Sequence, residues 1–429
     1  MSIYSYEQAF GAWDKTTNTM RKAIERWFSM YYDGKADNQS DTCQRIPYTV
    51  VNKLVKTVFG EYKAASDTPF GQRVLSQLNE KKRLALQLAL VGGACYIKPC
   101  PSGTGFSFTL VPRNQVLIFG RDADGRPTDI GLAEKSMDGN YYYTLLERRT
   151  MDAQGYLTIT NRLYRSRDAQ LLGVEVPLKN VAAYSELAEA YCFQKPVGSV
   201  GLVEMKLPIL NCIDGSADGV AVYAAAEGLV RNIDRNEAQM NGEFSRGESR
   251  IIASSDLLDK EMGLQDHLFV GLDEDPEQVG LTIFSPQLRE QSFLARKQEY
   301  LRNVESLLGL KRGMLSDANV EDRTATEISA STAEFSLTVM EFQVMWQAAV
   351  ENTLALCGVL ASLYGFVDSV PGQVRFDWGN GNLYDQEKIW ADYMEMVAKG
   401  ILKPEVALAW RFGLGETDAK TIREKYMPN

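Results

Sequence analysis

Histidine is nearly absent from this 429-residue chain, which contains one, His267. A single histidine excludes the HExxH metal motif and leaves a Ser-His-Asp triad only one possible base. His267 follows Asp266 in a segment of loop-like composition, and no GxSxG motif surrounds any serine. We therefore interpret His267 as a solvated or structural residue and expect no catalytic activity.

Paired cysteines are missing as well. The six cysteines are scattered without a CxxC pair: Cys43, Cys95, Cys100, Cys192, Cys212 and Cys357. With one histidine and no cysteine pair, no zinc site is expected. The spacing predicts reduced, mostly buried thiols in a cytosolic setting.

Phosphate-binding and cation-binding loops are also absent. Residues 91–98 contain glycines and a lysine but lack the GK[ST] ending of a P-loop, and residues 379–385 contain only two glycines in a turn. The acidic run at 273–275 lacks the EF-hand spacing and is typical of a solvated loop. We expect no cofactor.

Long apolar runs are lacking too. The longest uncharged ones, residues 85–97 and 353–367, are shorter than the roughly 18 residues that indicate a membrane span, so they predict buried helix segments. The first ten residues have neither the charged start nor the apolar run of a secretory signal. We expect no membrane association.

What the chain does contain is enough apolar material for a folded protein of several modules. Of its residues, 45% are hydrophobic and 10% aromatic, which argues against long disorder, and its length exceeds what one core usually supports. The net charge is -10. Such acidity argues against tight nucleic-acid binding, which uses clustered lysine and arginine.

Hydrophobic periodicity predicts helices in the first fifth of the chain, followed by strands. The helices are expected at residues 5–33, 48–63 and 69–90. Residues 94–187 alternate in part and are divided by Asp124-Gly125, Asp138-Gly139 and Gln154-Gly155, which are turn dipeptides. This pattern predicts an antiparallel sheet with one solvated face.

The second half is predicted to be mainly helical. Its elements are a helix at 217–246, strands at 249–253 and 281–284, a helix at 287–308, a helix at 324–364, a strand at 373–378, and helices at 386–399 and 404–412. Thr324 and Glu327 form a capping box that opens a helix of about 60 Å. Composition and periodicity alone indicate a soluble structural protein of several parts.

Several stretches carry a family resemblance in their order and spacing. They are Ile24-Glu-Arg-Trp27 with residues 31–34, residues 52–61, Lys206-Leu-Pro-Ile-Leu-Asn211 with residues 213–220, residues 233–244 and 250–253, Gly313-Met-Leu-Ser-Asp-Ala318, and Thr324-Ala-Thr-Glu-Ile328. Together they resemble the portal proteins of tailed bacteriophages that infect Gram-positive hosts.

The resemblance implies an α+β portal fold. Its parts would be a mixed α/β wing (1–214), two stem helices (215–246 and 287–309), a small α/β clip (247–286), a tunnel loop (310–323), a long wing helix with a returning strand (324–382) and a short helical crown (383–429). The chain departs from the family in its crown, whose helices are few and short. Crown functions of other portals are therefore not carried over.

The resemblance also implies a function. A portal forms a ring, usually a dodecamer, at one capsid vertex of the virion, and assembles in the host cytoplasm. Double-stranded DNA passes through it during packaging and ejection. Its other partners would be the large terminase subunit, a head–tail adaptor and the major capsid or scaffolding protein. An acidic ring fits this role, because a channel that gripped phosphates would stall its DNA.

Two groups of residues are candidate sites under this resemblance. The tunnel loop would face DNA with Lys311, Arg312, Met314, Asn319 and Arg323, while the clip would dock partners with Asp273, Glu274, Asp275 and Glu277. Gly309 and Gly313 are expected to act as hinges that let the loop move as a unit. Alternatively, the loop's charges pair with one another at subunit contacts.

Two other classes of function remain open from the sequence. One is a head or tail protein of a virion without a DNA channel. The other is a ligand-binding enzyme, for which the chain offers no pocket motif.

Overall fold

Helical and strand-rich segments alternate along the chain in an α+β arrangement. The computed structural model describes residues 3–32, 42–103, 105–247, 250–254, 269–272, 281–284, 288–317, 325–379 and 386–412. The helices within these residues are α1 (Ile3–Phe10), α2 (Asn18–Tyr32), α3 (Ile46–Val58), α4 (Pro69–Gly92), α5 (Glu227–Arg246), α6 (Glu290–Leu307), α7 (Ala325–Leu363), α8 (Gln386–Ala398) and α9 (Pro404–Phe412).

The strands of the described residues form four sheets. They are β1 (Lys63–Ser66), β2 (Ala94–Ser102), β3 (Gly105–Pro112), β4 (Val116–Arg121), β5 (Pro127–Asp138), β6 (Tyr141–Met151), β7 (Leu157–Ser166), β8 (Val174–Val176), β9 (Ala190–Cys192), β10 (Val203–Lys206), β11 (Arg250–Ser254), β12 (Phe269–Leu272), β13 (Leu281–Phe284) and β14 (Val374–Asp377). The sheet orders are β1-β14, β10-β2-β3, β12-β11-β13 and β4-β5-β6-β7-β8, with β9 also paired to β7.

The main core lies among α2, α3, α4 and α7. Trp27, Leu54, Leu78 and Trp346 are fully buried there. α4 begins where Thr68 accepts a hydrogen bond from the Gly71 amide at 3.1 Å. It ends at Gly93, whose φ of 83° suits glycine and whose Cβ, if present, would lie 2.3 Å from the Gly219 carbonyl.

The N-terminal helix predicted at 5–33 is two helices, α1 and α2. Gly11 adopts a φ of 64°, and the Asp14 carboxylate accepts hydrogen bonds from the amides of Thr16 and Ile118 at 3.0 and 3.1 Å. Thr17 then caps α2 through the Met20 amide at 3.1 Å. Local side-chain capping therefore overrides a continuous apolar stripe.

The single sheet predicted over 94–187 is two sheets, and the larger one has both faces covered. Its central strand β6 buries five consecutive residues from Tyr143 to Glu147. One face packs on α1 through Phe10, and the other packs on Leu178 and Tyr184. The prediction of a solvated face is thus wrong for β6, because distant chain segments cover it.

The helix predicted at 217–246 begins only at Glu227. The preceding residues Val220, Ala221, Val222 and Tyr223 are all buried, and the Val222 amide donates to the Leu90 carbonyl at 2.9 Å. Because four consecutive residues are covered by protein, this segment does not have the single buried face of an amphipathic helix. α5 is about 30 Å long instead of the predicted 45 Å.

All six cysteines are free thiols, but the expectation that most are buried is wrong. Cys95 and Cys357 are buried, Cys43 and Cys100 are half-buried, and Cys192 and Cys212 are exposed.

One segment, Thr332–Leu363 in α7, is long and apolar enough to cross a membrane by length and composition, and 56% of its most apolar window is buried inside the protein. Glu334, Glu341 and Glu351 interrupt this segment, so it contains no uncharged run as long as a membrane span. A core helix meets the same criteria, and Phe342, Trp346 and Val350 place this helix in the main core.

A buried carboxylate on β6 predicts a specific acid sensitivity. Burial raises the pKa of Glu147, but the charges and hydrogen bonds of Arg149 and Lys98 outweigh it and lower the pKa from 4.5 to about 2. The Lys98 ammonium lies 2.5 Å from the Glu147 carboxylate. Because its pKa is lower in the folded state than in the unfolded state, ionised Glu147 stabilises the fold by about 3 kcal/mol above pH 4.5. This contribution is lost as the pH falls from 4.5 toward 2.

We therefore expect Glu147→Gln to lower the free energy of unfolding at pH 7, with the gap to the unmodified protein narrowing below pH 4.5. Urea unfolding across this pH range measures the gap. Glu134→Gln, at an exposed position on β5, is the control and should follow the unmodified curve. A gap that stays constant from pH 7 to pH 3 contradicts the assignment.

Candidate nucleic-acid interface

An antiparallel pair of helices, α5 and α6, lies outside the larger sheet. Ile233 on α5 and Val304 on α6 are fully buried. Polar contacts align the pair along its length. The side-chain amide of Asn236 donates to the Phe293 carbonyl at 3.0 Å, and the Lys297 ammonium lies 3.0 Å from the Glu237 carboxylate. These contacts fix the register of the two helices.

The pair is closed at one end by Arg289 and Glu243. The Arg289 backbone amide and guanidinium donate to the Glu243 carboxylate at 2.9 and 2.8 Å. Hydrogen bonds from the Arg289 side chain lower the pKa of Glu243. Beyond this end the chain forms the three-stranded sheet β12-β11-β13, in which β11 pairs parallel to β12 and antiparallel to β13.

β13 matches its predicted bounds, and β11 lies within one residue of them at each end. β12 was not predicted. The proposed docking residues of the clip, Asp273, Glu274, Asp275 and Glu277, lie outside the described residues, as does His267.

At its other end α6 leads into a folded turn, residues 309–317, which we call the Glu305 turn. Glu305 is 1% exposed. Its carboxylate accepts hydrogen bonds from the backbone amides of Gly313 (3.1 Å), Leu315 and Ser316 (2.9 Å), and from the Ser316 hydroxyl (2.8 Å). One buried side chain thus organises the turn that follows its own helix.

Two further side chains fix the Glu305 turn from outside. Gln298 on α6 accepts a hydrogen bond from the Asp317 amide at 2.8 Å, and Lys53 on α3 donates to the Met314 carbonyl. Gly309 and Gly313 have φ values of 58° and 89°, which the turn requires. The glycines thus shape an anchored turn, and their role as hinges stays a prediction.

The structure brings together only part of the predicted tunnel-loop site. Lys311 and Arg312 are exposed at the tip of the Glu305 turn, whereas Met314 is half-buried and packs against the main core. Asn319 and Arg323 lie outside the described residues. The two exposed cations therefore form the basic end of the turn, and the role of all five residues toward DNA stays a prediction.

Sequence reasoning did not single out Glu305. In the sequence it is one of six acids between residues 289 and 323. A signal was nevertheless present, since Glu305 follows Leu301 and Val304 on the apolar stripe of α6, and both are buried.

α7 exposes an apolar stripe along the face opposite to the core. Leu337, Met340 and Val344 are 61%, 55% and 66% exposed, with exposed Ala333 and Ala348 extending the same stripe. The spacing of three and four residues is that of a helix-packing seam. Near its start, Thr338 donates to the Gly309 carbonyl at 3.4 Å, which places the stripe beside the Glu305 turn.

Among the described residues, no group of three or more histidine, cysteine, aspartate or glutamate side chains could hold a metal ion.

No family model and no curated protein sequence matches the chain. Among solved structures, the chain is similar to one in the neck of a native GTA particle computed with C12 symmetry, with a TM-score of 0.48, 13% identity and coverage of 92% of this chain and 93% of that chain. It is also similar to a chain in the neck of an empty GTA particle computed with C6 symmetry, with a TM-score of 0.49, 12% identity and coverage of 96% and 98%. At TM-scores below 0.5 these likenesses assign no function to this chain.

Proposed function

We propose that this chain is a portal protein, which assembles into a ring at one capsid vertex and conducts double-stranded DNA without catalysis of its own. The observation that carries the proposal is the order of elements from α5 to α7. A helix, a small sheet, an antiparallel helix, an anchored basic turn and a helix of 39 residues follow one another. This is the order of stem, clip, stem, tunnel loop and wing helix that the sequence resemblance implies.

Self-assembly is supported by the stripe on α7. Large apolar side chains are not usually grouped on an exposed face unless a partner covers them. A ring of identical subunits supplies that partner. Each copy contacts the next one head to tail, so the stripe of one subunit would be covered by a different surface of its neighbour.

The charge distribution supports a conduit more than a tight DNA binder. With a net charge of -10 per chain, a ring of twelve would carry about -120 and repel phosphate over most of its surface. Lys311 and Arg312 are the exposed cations that we propose contact DNA briefly. The clip, residues 247–286, is the proposed docking surface for the terminase motor and the head–tail adaptor.

Assembly state is the first test of the portal assignment. We expect the purified chain of 47.9 kDa to scatter light as a particle of about 575 kDa if twelve subunits close, and to show a central hole in particle images. A head or tail protein without a channel would give particles without that hole. A monodisperse monomer at micromolar concentration, across several salt concentrations, would rule out the portal.

The DNA role of the basic turn has its own test. Replacing Lys311 and Arg312 by alanine should leave the mass of the ring unchanged and reduce DNA retention in filled particles. Retention should also depend less steeply on salt than in the unmodified protein, because fewer phosphates are neutralised. The exchange Lys311→Arg with Arg312→Lys keeps both charges and is the control. Loss of the ring, with normal retention in the particles that remain, would instead place these charges at subunit contacts.

A further inference from the structure

The carboxylate of Glu305 is buried and holds the backbone of the turn that carries Lys311 and Arg312. Glu305 lies on α6 and is 1% exposed, and each of its oxygens acts as an acceptor. The Gly313 amide lies 3.1 and 3.2 Å from the two oxygens, and the Ser316 amide and hydroxyl lie 2.9 and 2.8 Å from one oxygen each. The two oxygens of the Glu305 carboxylate therefore determine the backbone path of residues 313–316.

This path fixes where the preceding cations lie. The Leu310 amide donates to the Glu305 backbone carbonyl at 2.9 Å, so both ends of residues 310–313 are tied to the same residue. The Met314 amide donates to the Lys311 carbonyl at 3.1 Å and closes the turn. Lys311 and Arg312 lie at its outer end with exposed side chains.

We propose that Glu305 is the positioning residue for the DNA contact of Lys311 and Arg312. Its carboxylate holds the backbone that follows them, residues 313–316, through four hydrogen-bond donors, so that the two cations stay at a fixed place while the DNA moves past them. This inference rests on the proposed portal function. It predicts that changes at Glu305 act on DNA only through Lys311 and Arg312.

The decisive variant is Glu305→Gln, which keeps the shape of the side chain but replaces one acceptor oxygen with an NH₂ donor. The charge-assisted hydrogen bonds from the Gly313, Leu315 and Ser316 amides then become weaker neutral ones, and the NH₂ group replaces the oxygen that accepts from the Ser316 hydroxyl, which together shift an opening equilibrium of the turn by about tenfold. Glu299→Gln is the matched control, because Glu299 lies on the same helix with its side chain 62% exposed.

Trypsin provides a readout that does not depend on DNA. Cleavage after Lys311 or Arg312 requires the turn to open, and its rate follows the open population when reclosing is fast. In full-length monomers carrying Leu337→Glu and Val344→Glu, in which no tunnel wall shields the turn from trypsin, we expect Glu305→Gln to raise this cleavage about tenfold relative to cleavage after exposed Lys399, and Glu299→Gln to leave it unchanged. Equal cleavage in the unmodified protein and in Glu305→Gln would overturn the inference.

DNA retention then tests whether Glu305 acts through the two cations. Glu305→Gln alone should reduce retention, and adding it to Lys311→Ala with Arg312→Ala should cause no further reduction, because the groups it positions are gone. A further, additive reduction would overturn the positioning role. A third outcome separates this inference from the proposed function. If Glu305→Gln raises cleavage while Lys311→Ala with Arg312→Ala retains DNA normally, then Glu305 anchors the turn but the turn does not contact DNA.

A milder variant keeps the test usable if Glu305→Gln fails to assemble. Ser316→Ala removes one side-chain donor to Glu305 and leaves the three backbone amides in place. It should raise cleavage after Lys311 or Arg312 in the same direction, by a smaller factor. No change in this variant together with an assembled ring would overturn the inference.

Discussion

Replacing Leu337 and Val344 by glutamate should convert the ring into monomers of 47.9 kDa without unfolding the chain. Both side chains are more than half exposed on the α7 stripe, so the single subunit does not need them for its core. In the ring, the same side chains would be covered by a neighbour. Placing carboxylates in such an interface should cost at least about 4 kcal/mol, or roughly a thousandfold in association.

Light scattering measures the mass, and circular dichroism checks that the monomer stays folded. Leu210→Glu with Val367→Glu is the control, since these residues are 91% and 103% exposed and lie outside α7. It introduces the same charge and removes the same kind of side chain, and the ring should persist. A double variant that still scatters at the mass of the ring would show that the stripe is not a subunit contact.

The negative charge of α7 should influence this contact as well. The helix contains four glutamates and no lysine or arginine in its 39 residues. Glu334 and Glu341 are exposed beside the apolar stripe. A neighbouring surface that covers the stripe is therefore expected to be neutral or basic, because like charges at a contact disfavour association.

Local signals in the sequence predicted several elements closely. The capping box at Thr324 and Glu327 predicted a helix at 324–364, and α7 runs from Ala325 to Leu363. Hydrophobic periodicity predicted a helix at 69–90, and α4 runs from Pro69 to Gly92. In each case the start of the helix is marked by residue types within a few positions of the boundary.

Elements fixed by distant contacts could not be predicted in this way. β12 is a four-residue strand that pairs parallel to β11, and parallel strands are not joined by the two-residue turns that mark a hairpin in a sequence. The buried segment from Val220 to Tyr223 continues the helical spacing of apolar residues in α5, but its hydrogen bond to Leu90 and the burial of all four residues hold it in another conformation. Tertiary contacts override local preference at both places.

The candidate site shows the same division. Lys311 and Arg312 could be recognised from their charge and from the breaks at Gly309 and Gly313. For Glu305 the sequence offers only its place on the apolar stripe of α6, because its partners are backbone amides, and backbone amides are present at every residue except proline. The function assigned to these residues stays a prediction from the resemblance and from the position of the turn.

Replacing Trp346 by alanine should lower the free energy of unfolding by about 3–5 kcal/mol, because it leaves a large cavity in the main core. Trp346 lies on α7, on the face opposite to the stripe, and is fully buried. Its ring packs edge-on against Phe59 at 5.4 Å, which joins α7 to the end of α3. Few other single changes in this core remove as much buried surface.

The measurement should be made on monomers, because subunit association adds to the stability of the folded state. Urea unfolding in the background of Leu337→Glu and Val344→Glu provides them. Phe335→Ala is the matched control on the same helix, since Phe335 is only partly buried and should cost less than Trp346. An unchanged urea midpoint for Trp346→Ala would contradict the packing of α7 in the main core.

The two faces of α7 are therefore expected to have different roles, one in the fold of the subunit and the other in the ring. Trp346→Ala should lower the free energy of unfolding in monomer and ring alike. Changes to the stripe should alter only the mass of the assembly.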